Sequence, residues 1–123
     1  MEKQRYIKFL KQLRAVAEPN RLKILDLIMN GIQCNCNLGD SLKIKPNLIS
    51  HHINILENAG FIMLKRDPID ARWVYYSINK SELEEFKNLM NEFFNSSRVK
   101  PKEQFCGPLG KAIFADHFAV ISK

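Results

Sequence analysis

A change of hydrophobic period at Gly60 constrains this sequence more than any other feature. Between Pro46 and Asn58, the residues Ile49, Ile53 and Leu56 recur at i, i+4 and i+7, the spacing of one buried helical face. That leaves Asn47, Ser50, His51, Asn54 and Asn58 outward, a face that is polar yet almost uncharged. After Gly60 the pattern becomes strand-like: Phe61, Ile62, Met63 and Leu64 precede Lys65-Arg66, and Trp73, Val74, Tyr75, Tyr76 and Ser77 supply the partner strand. Pro68, Asp70 and the residues between them make the turn.

Upstream, Tyr6, Leu10, Leu13 and Ala17, with Ile7 alongside, fall at helical spacing between Lys3, Lys8, Lys11 and Arg14, so an amphipathic helix ends near Ala17. Pro19 suits the first turn of a second helix whose Leu22, Ile24, Leu25, Leu27 and Ile28 are apolar almost all round, and Asn30-Gly31 supplies its stop. This helix is expected at the centre of the core. Asn37 can cap a short third helix over 38–42, and the Lys43-Ile44-Lys45 turn leads into Pro46. Ser81, with Glu84 completing a capping box, starts a last helix bearing Leu83, Phe86, Leu89, Met90, Phe93 and Phe94. The expected class is mainly α with a small β-hairpin, in the order α-α-α-α-β-β-α of a winged helix-turn-helix. Residues 1–97 form the DNA-binding and dimerisation domain in this reading, and 98–123 a basic tail carrying Cys106.

With 123 residues, 46% of them hydrophobic and 26% charged, the chain is one ordinary domain, which excludes disordered, collagenous and multidomain readings. Its net charge of +6 calls for an anionic partner, nucleic acid ahead of membrane lipid. Apolar runs such as 15–17 and 118–121 fall far short of the roughly 18 residues that span a bilayer. The opening Met-Glu-Lys-Gln-Arg-Tyr has no hydrophobic region after it, so a cytoplasmic protein without a membrane partner is expected. An enzyme is not expected: the sequence has no Gly-rich phosphate loop, no His-Glu-x-x-His helix and no Gly-x-Ser-x-Gly elbow.

A major groove about 12 Å wide admits one helix, whose short polar side chains reach base edges while flanking cations hold phosphate. Asn47, Ser50, His51 and Asn54 suit the first task; Lys43, Lys45, Lys65, Arg66 and Arg72 suit the second. Any one of these cations taken alone could equally be a solvated surface residue. It is their order around helix and hairpin that argues for DNA. The first helix, with Tyr6, Leu10 and Leu13, and the last, with Phe86, Met90, Phe93 and Phe94, carry more apolar surface than so short a chain easily hides. A two-fold dimer through them would place two reading helices about 34 Å apart, on a palindromic site in double-stranded DNA.

Three cysteines make an odd set, and Cys34-Asn35-Cys36 is a poor disulfide framework, so metal binding or redox sensing is expected of them.

Residues 13–25, Leu-Arg-Ala-Val-Ala-Glu-Pro-Asn-Arg-Leu-Lys-Ile-Leu, then Cys34-Asn35-Cys36-Asn37-Leu38, then residues 49–62, Ile-Ser-His-His-Ile-Asn-Ile-Leu-Glu-Asn-Ala-Gly-Phe-Ile, resemble the arsenical-resistance repressor (ArsR/SmtB) family over roughly residues 5–95. The resemblance implies a homodimeric repressor that sits on operator DNA and lets go when an inducer, commonly a metal or metalloid ion, binds. Where the family usually opens the reading helix with Ser-Gln and a Thr two positions later, this chain has Lys45, Pro46 and Leu48; Leu48 could lie against a thymine methyl.

Thiolate is the soft ligand selected by As(III) and Sb(III), and by Cd(II) or Pb(II), and three thiolates complete a trivalent arsenic. Cys34 and Cys36 supply two. Residues i and i+2 of a regular helix point about 200° apart, so both sulfurs can grip one ion only if Cys34 lies in the loop or the helix start unwinds. The helix N-terminus is expected to favour thiolate over thiol. The position where the family often carries a third cysteine is Gly39, which leaves Cys106 as the remaining thiol and Cys34, Cys36 and Cys106 as the expected metal ligands. A thiol-redox or persulfide sensor of the same fold is the alternative, with Cys36 and Cys106 better spaced for a bridge than Cys34 and Cys36. A DNA binder with idle, merely buried thiols is the third reading.

Overall fold

Pro19 and Pro46 each stand at the first position of a helix, where a missing N–H costs nothing. They fix the starts of the two helices that carry the core. In the computed structural model, which describes residues 1–101, the order is α1 (Lys3–Val16), α2 (Pro19–Met29), α3 (Asn35–Leu42), α4 (Pro46–Asn58), β1 (Ile62–Arg66), β2 (Val74–Ile78) and α5 (Lys80–Phe93). Residues Met1–Phe93 make one compact unit; after it the described chain adds a single 3-10 turn, Ser96–Arg98, capped by Asn95. The expected class, a winged helix-turn-helix of mainly helical content, is the one observed. Among the described residues no helix is long and apolar enough to cross a membrane.

Ile24, Leu25 and Ile28 of α2 meet Ile49, Ile53 and Leu56 of α4, all buried, with Leu38 of α3 sealed against them. Gly31 and Gly60 end these two helices with positive φ, 102° and 90°, a conformation that costs glycine little. Phe61, just after Gly60, sets its ring edge-on to Phe86 at 5.1 Å and so ties the wing's root to α5. Strands β1 and β2 pair antiparallel from Ile62 with Ile78 to Arg66 with Val74. A third extended segment joins them: Cys34 makes one antiparallel bridge with Tyr75, and the Tyr76 N–H donates to the Gln33 carbonyl at 2.7 Å.

Two expectations, both about helix starts, need correction, and α1 buries a residue that the sequence reading left out. The buried stripe of α1 is Phe9, Gln12 and Ala15, while Tyr6, Ile7 and Leu10 remain 47%, 50% and 37% exposed. Phe9 was hidden among lysines in the sequence, and it goes in because its ring stacks at a tilt on Phe86 and Phe93. Helix α3 begins at Asn35, earlier than 38, because the bridge to Tyr75 ends at Cys34 and leaves it as the N-cap. Asn79, not Ser81, caps α5: the Asn79 N–H is held by the Phe61 carbonyl, and its side-chain oxygen accepts from the Glu82 N–H and the Ser81 hydroxyl.

Lys43 ends α3 in the left-handed region at φ 58°, its N–H donating to the Gly39 carbonyl at 2.7 Å. A side chain there costs about 1–2 kcal/mol, part of which glycine would return through its greater freedom when unfolded. Lys43→Gly is expected to stabilise the domain by about 0.5–1 kcal/mol while weakening DNA binding and lowering its salt slope by about 1. Chemical denaturation and a salt titration of operator affinity check the two halves; a destabilised variant would show that the turn is relaxed with lysine in place.

Candidate nucleic-acid interface and thiol pair

Because α4 spends Ile49, Ile53 and Leu56 on the core, its other face is presented whole. Asn47, Leu48, Ser50, His51 and Asn54 are all exposed there. The lysines expected to flank it are also exposed: Lys43 and Lys45 in the turn before α4, and Lys65 on the wing. Of the expected contacts, the structure gathers Ser50, Asn54, Arg66 and Arg72 around one cleft between α3, α4 and the wing; Lys43, Lys45 and Lys65 are exposed outside it.

The two wing arginines have internal duties as well. Arg66 donates to the Ala71 carbonyl at 2.8 Å and braces the turn. Arg72 forks onto Asp70, with contacts of 2.8 and 3.0 Å, and this hydrogen bonding holds the Asp70 carboxyl below the usual range. Its side chain is nonetheless 90% exposed, so a phosphate can reach it only by sharing it with Asp70. The turn itself is organised by Asp67, whose carboxylate accepts from the Tyr75 hydroxyl and from the backbone N–H of Ile69 and Asp70. The Tyr75 hydrogen bond comes first among the causes that lower the Asp67 carboxyl, and it raises the Tyr75 phenol in turn.

The structure gives His52 a polar role on the core side of α4. His52, 6% exposed on the inner side of α4, accepts at Nδ1 from the Arg21 guanidinium at 3.2 Å. Arg21 has no proton acceptor of its own, so this contact fixes the neutral imidazole with its proton on Nε2. Arg21 also donates to the Ala15 and Arg14 carbonyls at the end of α1, and its backbone N–H is capped by Glu18. One side chain therefore locks the α1–α2 corner to the reading helix. Burial opposes the Glu18 charge, but hydrogen bonds from the Arg21 and Asn20 backbone, aided by His52 and Arg21, hold its carboxyl below the usual range. The sequence signal for this hub was Glu18-Pro19-Asn20-Arg21, which announces a helix start without announcing its distant partner.

Cys34 and Cys36 come together. As N-cap, Cys34 is extended (φ −131°, ψ 158°) and so escapes the helical geometry that would have turned it away; its Sγ lies 3.1 Å from that of Cys36 in the first turn. The expectation that the helix N-terminus favours thiolate is corrected for Cys36. Its hydrogen bond with Cys34, followed by burial and the charge of Cys34, raises it above the usual thiol range and outweighs the N–H groups of Asn37 and Cys36. The pair opens on a cleft of about 950 Å³ between α3, α4 and the wing, walled by Ile44, Ile53, Leu64, Val74 and Tyr76. Ser50 and Asn54 of the reading face line the same cleft. Among the described residues, no group of three or more His, Cys, Asp or Glu could hold a metal ion, so a third protein ligand has to come from elsewhere. Cys106 lies outside the described residues.

Burial comes first among the causes that push His52 below the ordinary histidine range; Glu18 opposes it, and Arg21 and His51 add to it. A histidine depressed in the folded state contributes stability that is present above its unfolded value of about 6.5 and is lost as pH falls through the lower folded value. Acidification below about pH 6.5 is therefore expected to lower the denaturation midpoint, and His52→Gln, whose amide oxygen can still accept from Arg21, to flatten that slope. An unchanged slope in the variant would assign the effect to other groups.

The profile of the bacterial regulatory protein, arsR family, matches residues 18–63, the span from the start of α2 into β1. A helix-turn-helix-type transcriptional regulator of Methanocaldococcus jannaschii is 34% identical over 90 residues, which is 72% of this chain and 98% of that protein. The transcriptional repressor SdpR of Bacillus subtilis is 35% identical over 82 residues, 67% of this chain and 88% of SdpR. A solved structure described as a possible transcriptional regulator for arsenical resistance matches with a TM-score of 0.63 at 28% identity, over 71% of this chain and 88% of that one. A homodimeric winged helix-turn-helix DNA-binding domain from Mycobacterium bovis, 16% identical, shares the fold with a TM-score of 0.59, over 85% of this chain and 96% of that one.

Proposed function

The chain belongs to the ArsR family of transcriptional regulators, and from that premise we propose that it is a cytoplasmic, homodimeric repressor that leaves operator DNA when a thiophilic ion binds its cysteines. Arsenite and antimonite are the inducers that suit it best, with cadmium and lead as further candidates. The observation that carries this reading is the 3.1 Å contact between Cys34 and Cys36, on a segment bonded to the wing. Cys106 is the third thiolate in this reading.

The DNA role rests on the exposed face of α4 and its lysines. In a two-fold dimer two such faces address successive major grooves of a palindrome, about 34 Å apart. The dimer surface is the strip that α1 leaves open, Tyr6, Ile7 and Leu10, beside α5. Arg5 with Glu92, and Lys8 with Glu82 and Glu85, border that strip and hold α1 to α5 within the protomer. The protein acts by occupying DNA, not by catalysis.

Release follows from how the thiols are mounted. An ion drawn between Cys34 and Cys36 moves the first turn of α3, and the main-chain bond from Tyr76 to Gln33 passes that movement into β2. The helix before the reading helix and the wing after it are displaced together. The same sulfur contact supports a second reading, a redox or persulfide sensor, because the two sulfurs are nearer to a direct bridge than their spacing in sequence suggests.

A gel shift with arsenite, antimonite, cadmium, polysulfide and peroxide separates these readings. The wild type is expected to release its operator with arsenite or antimonite, and a Cys34→Ala/Cys36→Ala variant to bind DNA as tightly yet stay bound. Full release of that variant by arsenite would overturn the proposal; release by peroxide or polysulfide alone would establish the redox reading in its place.

A further inference from the structure

We propose that the cleft between α3, α4 and the wing is a second effector site, for an aromatic carboxylate that carries a ring hydroxyl, and that its occupancy competes with operator DNA. The site forms no bond to sulfur, so it does not rest on the thiol-sensing reading. It shares with that reading only the DNA-facing side of α4.

The cleft, of about 950 Å³, lies in the range of pockets that hold small molecules. Ile44, Ile53, Leu64 and Val74 wall it with hydrocarbon, and the half-exposed Trp73 adds an indole for a flat ring to pack against. Its polar groups make two distinct demands. Asn35 lines the cleft, yet its Oδ1 is shut from water and has no donor among the described residues. An acceptor left in that state is costly, and a modest turn of the amide brings it to an O–H in the cleft. On the wing side, Arg66 donates only Nη1, to the Ala71 carbonyl, so its Nε and Nη2 remain for the two oxygens of a carboxylate. Arg72 lines the same cleft, and against these two guanidiniums the lining sets one carboxylate, Asp40. The balance of charge favours an anion.

A molecule with a hydroxyl at one end, a flat apolar body and a carboxylate at the other meets all three features. A bare anion would leave Asn35 unmet, and a neutral arene would leave the Arg66 edge idle. Ser50 and Asn54 of the reading face line this cleft too, beside the two arginines expected at phosphate. Ligand and duplex therefore call on the same side chains, and no covalent step is needed.

Trp73 is the sole tryptophan of the chain, so its fluorescence reports on the cleft directly. The test titrates the full chain, kept reduced, with three probes: 4-hydroxyphenylacetate, phenylacetate, which lacks the hydroxyl, and 4-hydroxyphenylethanol, which lacks the carboxylate. Operator affinity is followed in parallel by fluorescence anisotropy. 4-Hydroxyphenylacetate is expected to give a saturable change in Trp73 emission, to protect Trp73 from acrylamide quenching and to weaken operator binding. Each truncated probe is expected to bind about tenfold more weakly, the scale of one unpaired polar group. In Asn35→Leu the preference for the hydroxyl should shrink to within about twofold while the preference for the carboxylate stays. Should that variant lose its helical circular dichroism, the three-probe comparison on the wild type decides alone. The inference is overturned if 4-hydroxyphenylacetate gives no saturable change, if the truncated probes bind as tightly, if a folded Asn35→Leu keeps the full preference for the hydroxyl, or if operator affinity is unchanged with the probe bound.

Discussion

The hydrogen bond from the Tyr76 N–H to the Gln33 carbonyl, with the Cys34–Tyr75 bridge beside it, makes one mechanical piece of parts that would otherwise be separate. A two-stranded hairpin on its own is marginal in water, and this third segment anchors it to the helical body. It also decides where α3 begins. Because the chain is extended up to Cys34, the helix can only start afterwards, and Cys34 is left where its sulfur meets that of Cys36. Wing position, helix start and thiol geometry are three consequences of one strand pairing.

Arg21 holds the other side still. Its guanidinium spans the carbonyl end of α1 and the imidazole of His52, so the inner side of α4 is tied to the part of the domain farthest in sequence from the wing. Part-buried polar contacts of this kind, made to a buried imidazole, are costly to leave half made, which favours a single arrangement over slippage. Under the proposed function, movement at the thiols would meet an α4 fixed on its inner side and be spent on α3 and the wing.

Much of this fold was legible in the sequence where one period repeats and one kind of residue punctuates it. Ile49, Ile53 and Leu56 placed α4 and its outward face, and Pro19, Pro46, Gly31 and Gly60 marked helix ends correctly, because those residues act through their own backbones. What stayed hidden depends on partners distant in the chain. Phe9 is buried by Phe86 and Phe93, Asn79 caps because Phe61 holds its N–H, and the His52 pKa is lowered first by its burial, with Arg21 adding to it. The thiol pair lay between these cases. The sequence set the condition, Cys34 outside the helix, and a strand about forty residues further along the chain meets it. The wing arginines were read as free cations, whereas Asp70 and the Ala71 carbonyl share them, since a tight turn brings acceptors within reach that spacing alone does not reveal.

Under the proposed function, with the thiol pair as sensor beside a DNA-facing α4, the energetic requirement is modest. Moving a two-state equilibrium from 99% to 1% bound needs a ligand that prefers the released state by about 10⁴-fold, or about 5.5 kcal/mol. In a two-fold dimer each protomer supplies half of that, about 2.7 kcal/mol. A pair of sulfur bonds to a soft centre readily exceeds such a difference, provided that the bonds form in one state and are hindered in the other. Under the proposed function the hindrance is local. The residues that would face the duplex, Ser50 and Asn54, line the cleft that the sulfurs open on, so no signal has to cross the core, and the tightly packed Ile49, Ile53 and Leu56 can stay in place while the surface they support changes its occupant.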